Sequence, residues 1–354
     1  MEAENLLRLR EYAAAFQSFA AIAAKPPEEV YVAPFRLRHD ALLLDRLVAA
    51  GRIDAQRGRD AAQRLQQACA ELDERAGPGE TWLARLRDIP PEISGLLRDG
   101  LYDCLPVVCQ PPSYNAACEG QDPLNTEVDW RSVEQDFLNS GLVVVDDFFS
   151  PAALCELWEH SLEATCFRSL RPGYLGAFPW DGCVHPLIRK AVESLESRLP
   201  RALRHRPLAR WWLFKYLGHR GSGVGVHADE AAVNINIWLT PMAARCRGGG
   251  LEIFRSVPRR GAWMADFNQV PAGDGDNEAL RAALILGGVD RIEYKQNRAC
   301  IFVSDRYHAS EDFEFTEEQP RVNLTMLFGD RSDARRLQRR SLQRLSGRPK
   351  SAEE

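Results

Sequence analysis

The chain has 354 residues, 45% of them apolar and 27% charged, enough to build one large domain or two of ordinary size and too apolar for a disordered or fibrous protein. Its net charge of −5 is unevenly placed: the segment from Arg331 onward carries +5, which leaves −10 on the rest and argues against an enzyme that grips nucleic-acid phosphates by bulk charge. The nine cysteines are odd in number, scattered and without a Cys-x-x-Cys pair, so reduced thiols are expected instead of a disulfide framework or zinc ribbon. No apolar run approaches the roughly 20 residues of a membrane helix. Met1 to Tyr12 mixes acidic, basic and apolar residues without a signal peptide's order, so a soluble cytoplasmic protein with no membrane partner is expected.

The first hundred residues read as helical. Apolar positions recur at three and four in Leu6, Leu7, Ala13, Phe16, Phe19 and Ala20, and again from Leu42 to Val48 before a turn at Gly51; another helix covers Ala55 to Arg75 and stops at Gly77-Pro78-Gly79. The stretch 104–130, with Pro106, Pro111, Pro112 and Pro123, reads as an irregular linker after a helical region 1–103. Beyond it lie a strand at Gly141–Asp146, a helix Pro151–Arg168 opened by Ser150, and a second helix Leu187–Leu203. Strands then dominate: Trp211–Leu217, Gly223–Asp229, Ala232–Leu239, Leu251–Phe254, Arg291–Lys295, Ala299–Val303 and Arg321–Phe328. Seven or eight short antiparallel strands with flanking helices point to an α+β fold with a closed double-sheet barrel over 131–330, followed by a basic tail 331–354.

The sharpest chemical signal is His227-Ala228-Asp229 at the end of an expected strand, where alternation puts residues 227 and 229 on one side, able to hold one metal ion together. His308, shortly after the strand Ala299–Val303, completes two histidines and a carboxylate, the set that leaves open positions on non-haem iron(II). In Arg321–Phe328, Arg321, Asn323 and Thr325 share one face and Val322, Leu324 and Met326 the other. A guanidinium there can hold a dicarboxylate's far end by two parallel hydrogen bonds, and Thr325 can donate a third. Asn234, Asn236 and Trp238 likewise share a face that suits pocket lining, and Tyr216 lies on the face shared by Trp212 and Phe214. The segment Tyr174–Gly182 could fold over the barrel mouth and present Trp180 or Asp181 to substrate. Gly221-Ser-Gly-Val-Gly-Val226 leads into a strand and so is no phosphate loop. His39, His160, His205 and His219 lie in charged contexts and are expected to be solvated.

The ordered set His227-x-Asp229, Gly248-Gly-Gly-Leu251, His308 and Arg321-x-Asn323-x-Thr325 resembles the iron(II)- and 2-oxoglutarate-dependent dioxygenases, over about residues 140 to 330. It is most similar to prolyl-hydroxylase-like and related bacterial and algal members, in which a block like Trp212-Leu-Phe-Lys-Tyr216 precedes the first ligand. The resemblance implies a double-stranded β-helix of the jelly-roll or cupin-like kind, with Fe(II) on His227, Asp229 and His308. It also implies 2-oxoglutarate on Arg321, with Tyr216 near it, and O₂ as co-substrate. Collagen-type prolyl hydroxylases use Lys where Arg321 stands, so a prolyl substrate is not carried over. What is implied is hydroxylation of an amino-acid or peptidyl side chain or a related small metabolite, with release of succinate and CO₂. Asp229 favours hydroxylation or desaturation over halogenation, which in relatives needs a small residue there. A non-catalytic 2-oxoglutarate- or metal-binding sensor or scaffold of the same fold is the alternative.

Overall fold

The computed structural model describes residues 2–24, 30–76, 84–98, 120–171, 173–217, 220–221, 223–258, 275–316, 319–334 and 337. Gly77-Pro78-Gly79, His219, most of the proline-containing stretch and nearly all of the basic tail lie outside them.

Nine helices are described: α1 (Glu2–Arg8), α2 (Tyr12–Ala23), α3 (Pro34–Ala49), α4 (Ala55–Ala76), α5 (Pro91–Arg98), α6 (Trp130–Ser140), α7 (Pro151–Glu163), α8 (Pro186–Arg198) and α9 (Gly275–Leu286). Local chemistry sets several ends. The Ser150 side chain accepts from the Ala153 amide with Pro151 in the first turn, and Asp129 does the same for α6 through the Ser132 amide. Gly141, at φ 72°, ends α6 and turns the chain directly into a strand, a left-handed conformation that costs glycine little. Helices α6 and α9 are additional to the expected elements, and in α6 Trp130, Val133, Phe137 and Leu138 fall at helical spacing.

The strands are β1 (Tyr31–Val32), β2 (Ala84–Arg85), β3 (Leu142–Val145), β4 (Ser169–Arg171), β5 (Tyr174–Ala177), β6 (Leu208–Tyr216), β7 (Arg220–Gly221), β8 (Val233–Trp238), β9 (Arg245–Gly248), β10 (Leu251–Phe254), β11 (Val289–Ile292), β12 (Ala299–Val303), β13 (His308–Ser310), β14 (Phe313–Phe315) and β15 (Arg321–Phe328). A seven-stranded antiparallel sheet has the order β3-β12-β8-β15-β6-β5-β4. Two three-stranded sheets, β11-β10-β13 and β7-β14-β9, stand apart from it. The α+β class and the large antiparallel sheet are as expected, but the described strands form separate sheets and not one hydrogen-bonded barrel. Residues 223–229 are no strand either. The segment makes one isolated antiparallel bridge, His227 to His308, and Gly223, at φ +61°, leaves the extended path and sits where a Cβ would collide with Ser310.

Each face of the large sheet buries a different core. On one face Trp211, Leu213, Ile235, Ile237, Ile301, Leu324 and Met326 pack with α2, α7 and α8. On the other, Tyr216, Trp238, Cys300 and Phe302 meet Leu251, Ile253, Phe313 and Phe315 from the small sheets. The two N-terminal helix pairs behave differently. Phe16 and Phe19 of α2 stack on and edge against Trp211 at 4.5 and 5.6 Å, and the Tyr12 hydroxyl accepts from the Leu208 amide, so α1 and α2 belong to the sheet's core. Leu43 and Leu47 of α3 pack instead on α4 and α5 in a core of their own, not on the sheet. Truncating Phe16 to Ala leaves a cavity over Trp211 and is expected to cost about 3 to 5 kcal/mol, measurable as a lowered midpoint in urea unfolding with an unchanged slope.

Helix α3 meets the sheet through buried polar groups. Arg36 donates to Asp40 at 2.5 Å and to the Phe167 carbonyl at 2.6 Å, His39 Nδ1 donates to Asp40 at 2.8 Å, and Lys215 of β6 donates to His39 Nε2 at 3.1 Å. Burial, and then the Lys215 charge, push His39 down to about 4. His160 is fully buried against the His185 ring, 4.6 Å away, and burial holds it well below the ordinary histidine value. The expectation that His39 and His160 are solvated therefore fails, since α3 and α7 turn both toward the sheet, whereas His205 is exposed as expected. A pKa held below its unfolded value means that the unfolded chain takes up more protons as pH falls. The stability these histidines contribute is thus complete above 6.5 and is lost as pH drops towards 4. Thermal midpoints should fall through that window, and His39→Gln should flatten part of the fall.

Candidate metal centre and cavity

The bridge between His227 and His308 is a closed pair of backbone hydrogen bonds, 3.0 and 2.8 Å long, which brings the two rings to 4.1 Å between centroids. The Asp229 amide donates to the Ser304 carbonyl at 3.3 Å, and the Asn234 amide group holds the Asp229 carboxylate at 2.8 Å. One donor atom from each of His227, Asp229 and His308 lies within 4.8 Å of the others, the one such group among the described residues.

The donor set suits a divalent ion. His227 Nδ1 lies 2.8 Å from the Gly225 carbonyl and His308 Nδ1 lies 3.0 Å from the Arg306 carbonyl. A carbonyl only accepts, so both rings carry their proton on Nδ1 and leave the Nε2 lone pair for a metal. Burial, followed by the His308 charge, pushes His227 down to about 4, which keeps it neutral. Burial opposes the charge on Asp229, but the neighbouring imidazoles of His308 and His227 and the Asn234 amide outweigh it and hold the carboxyl below its usual value. His308 Nε2 sits 3.4 Å from Asp229 Oδ2, close enough for one ion to bridge both.

The three residues line a cleft together with Arg321, Asn323, Thr325, Asn234, Asn236, Tyr216, Phe214, Trp212 and others. Register explains the grouping. Arg321 pairs with Tyr216, Asn323 with Phe214 and Trp238, and Thr325 with Trp212 and Asn236, so alternate rows across β6, β15 and β8 turn to the same side of the sheet, and all of these except Trp238 reach the cleft. Arg321 is 2% exposed. Its Nε and Nη2 donate to the Gly249 carbonyl at 3.0 and 2.9 Å, and the guanidinium lies over the Tyr216 ring at 4.7 Å. Nη1 has no partner. Anchoring it this way needs the glycines of the sequence motif: Gly248, at φ +59°, would place a Cβ 1.9 Å from the Asp312 carbonyl, and Gly249, at φ +86°, would place one 2.9 Å from the Phe315 ring.

Thr325 Oγ1 accepts from the side-chain amides of both Asn236 and Asn323, at 3.1 and 3.2 Å. With its lone pairs taken, the hydroxyl hydrogen is left to donate into the cleft. Trp238 is fully buried with its indole N–H unpartnered, but it packs on Tyr294 and does not line the cleft. Neither do Trp180 and Asp181. Trp180 is exposed and stacked on Phe178, while Asp181 accepts from Ser169 Oγ and the Phe178 amide and so fixes the turn that carries Trp180. The lining also includes Val224, Leu251 and Ser310, which sequence reasoning missed. Ser310 lies two residues beyond His308 on β13, so alternation would have found it.

No family model matches this sequence, and no relative among the curated proteins does. Solved structures do match in chain path. One is an oxidoreductase of the 2OG-Fe(II) oxygenase family from Burkholderia pseudomallei, at 11% identity over 58% of this chain and 91% of that one, with a TM-score of 0.38. A second is an alpha-ketoglutarate-dependent carbocyclase from nogalamycin biosynthesis, at 12% identity over 59% and 87%, with a TM-score of 0.42. A third is a prolyl hydroxylase from Trichoplax adhaerens in complex with a hypoxia inducible factor peptide, at 15% identity over 59% and 97%, with a TM-score of 0.34.

Proposed function

We propose that the chain is an Fe(II)- and 2-oxoglutarate-dependent dioxygenase that hydroxylates a small molecule or a peptidyl side chain. The observation that carries this reading is the pairing, in one cleft, of the His227, Asp229 and His308 donor group with a buried arginine whose Nη1 is unpartnered. A metal-binding site of another kind has no use for that arginine. In this reading the seven-stranded sheet and the two small sheets are the major and minor halves of a double-stranded β-helix over 131–330, preceded by the helical region 1–103 and the linker 104–130.

The roles of the chain's own groups follow from their partners. His227 and His308 offer neutral Nε2 atoms and Asp229 its carboxylate, leaving a bound Fe(II) with open positions. Arg321 Nη1 and the Thr325 hydroxyl receive the far carboxylate of 2-oxoglutarate, and Tyr216 covers the guanidinium. Asn236 and Asn323 aim the Thr325 hydroxyl. Bound iron and 2-oxoglutarate supply the oxidation: one atom of O₂ enters a substrate C–H bond to give C–OH, and 2-oxoglutarate leaves as succinate and CO₂. Incubation with Fe(II), ascorbate and labelled 2-oxoglutarate should release succinate above background. Iron bound stoichiometrically with no succinate formed would refute the reading.

A further inference from the structure

The aromatic wall of the cleft does not end at its rim. Trp212 and Phe214 of β6, 5.7 Å apart and within 28° of parallel, line the cleft itself. Phe178 lies 5.9 and 6.0 Å from these two rings, and Trp180 stacks on Phe178 at 4.9 Å, within 3° of parallel. Tyr174 closes the other side, 4.8 Å from Phe214. Gly176 sits opposite Phe214 in the sheet, and a Cβ there would come within 2.9 Å of the Phe178 ring, so a glycine is what lets this ring lie on the sheet. The outcome is a continuous shelf of partly open ring faces running from the metal group to Trp180, which is 47% exposed.

Two buried polar atoms beside the shelf lack partners. Asn234 donates its Nδ2 to the Asp229 carboxylate, which as an anion only accepts, so Asn234 Oδ1 must be the atom turned away, and it is an unmatched acceptor. Trp212 Nε1 is an unmatched donor. Among the described residues the lining holds no charged side chain besides Arg321 and the metal group, so an ionic substrate would bury its charge there without a counterion.

We propose that this shelf binds the prime substrate, and that the substrate is an uncharged aromatic small molecule with a hydroxyl or amide group. Its ring packs against Trp212 and the edge of the stacked Phe178–Trp180 pair, and its polar group meets Asn234 Oδ1 or Trp212 Nε1 near the metal group. What becomes of the bound molecule rests on the oxygenase reading; its binding does not.

Equilibrium dialysis of the full-length protein against 2-naphthol, without iron or 2-oxoglutarate, tests the site. Saturable binding is expected, with decahydro-2-naphthol and 2-naphthalenesulfonate weaker by about tenfold or more. Trp180→Ala, at an exposed position that folding does not need, and Trp212→Ala should each weaken 2-naphthol by a comparable factor. No saturable 2-naphthol binding, equal binding of the saturated analogue or the sulfonate, or binding unchanged in both variants would overturn the inference. A protein that forms succinate yet binds no 2-naphthol loses this inference alone. One that binds 2-naphthol through Trp180 and Trp212 and forms no succinate keeps the aromatic site and loses the oxygenase reading.

Discussion

Replacing His308 with Ala should abolish 2-oxoglutarate turnover and reduce Fe(II) or Mn(II) affinity by more than about a hundredfold, given that losing only an outer partner of a metal ligand costs 10- to 100-fold. The reason is geometric. His308 gives the Nε2 atom nearest Asp229, and its backbone forms both hydrogen bonds that hold His227 in place. Those backbone bonds survive the substitution, so the fold should persist, with near-unchanged circular dichroism and thermal midpoint in the absence of metal. His227→Ala should behave alike. Asn234→Ala leaves all three donor atoms but frees the Asp229 carboxylate, so a smaller loss of metal affinity is expected, within 10- to 100-fold. Calorimetric titration with Mn(II) distinguishes the two levels, and equal loss in all three variants would mean that the site collapses as a unit.

Replacing Arg321 with Ala should raise the 2-oxoglutarate KM by about thirtyfold or more while leaving metal affinity within about twofold, because truncating one partner of a buried charge pair costs about 2 to 5 kcal/mol. Arg321 reaches none of the three metal donors; its hydrogen bonds go to the Gly249 carbonyl and its face to Tyr216. Arg321→Lys should recover part of the loss, since an ammonium keeps the charge and loses the fork that reaches both the carbonyl and a carboxylate. Metal affinity falling together with 2-oxoglutarate affinity would mean that the arginine holds the cleft open by packing.

Much of the candidate site was legible because a strand has a two-residue period. Arg321, Asn323 and Thr325 line one cleft since β15 runs unbroken over the eight residues expected of it, and the bounds of β10 and β12 also emerged as read. The His227 and Asp229 pairing was reached by the same argument, although no strand runs through them. They come together because a two-residue backbone bridge to His308 and the Asn234 amide position them, neither of which alternation can see.

By itself, then, the sequence determined where several of the helices and the long strands lie, the face each long strand turns to its neighbours, and the residue types able to hold a metal and a dicarboxylate, since all three depend on local period and side-chain chemistry. Which face is covered was decided only in tertiary structure. Periodicity is blind to what packs on a surface, so α2 rather than α3 joins the sheet's core, and His160 is buried and His39 largely covered although a charged local context had suggested that both lay in water. The aromatic shelf is of the same kind: Phe178 and Trp180 come from a turn and Trp212 and Phe214 from a strand, and only the packing of β5 on β6 across Gly176 makes one surface of them.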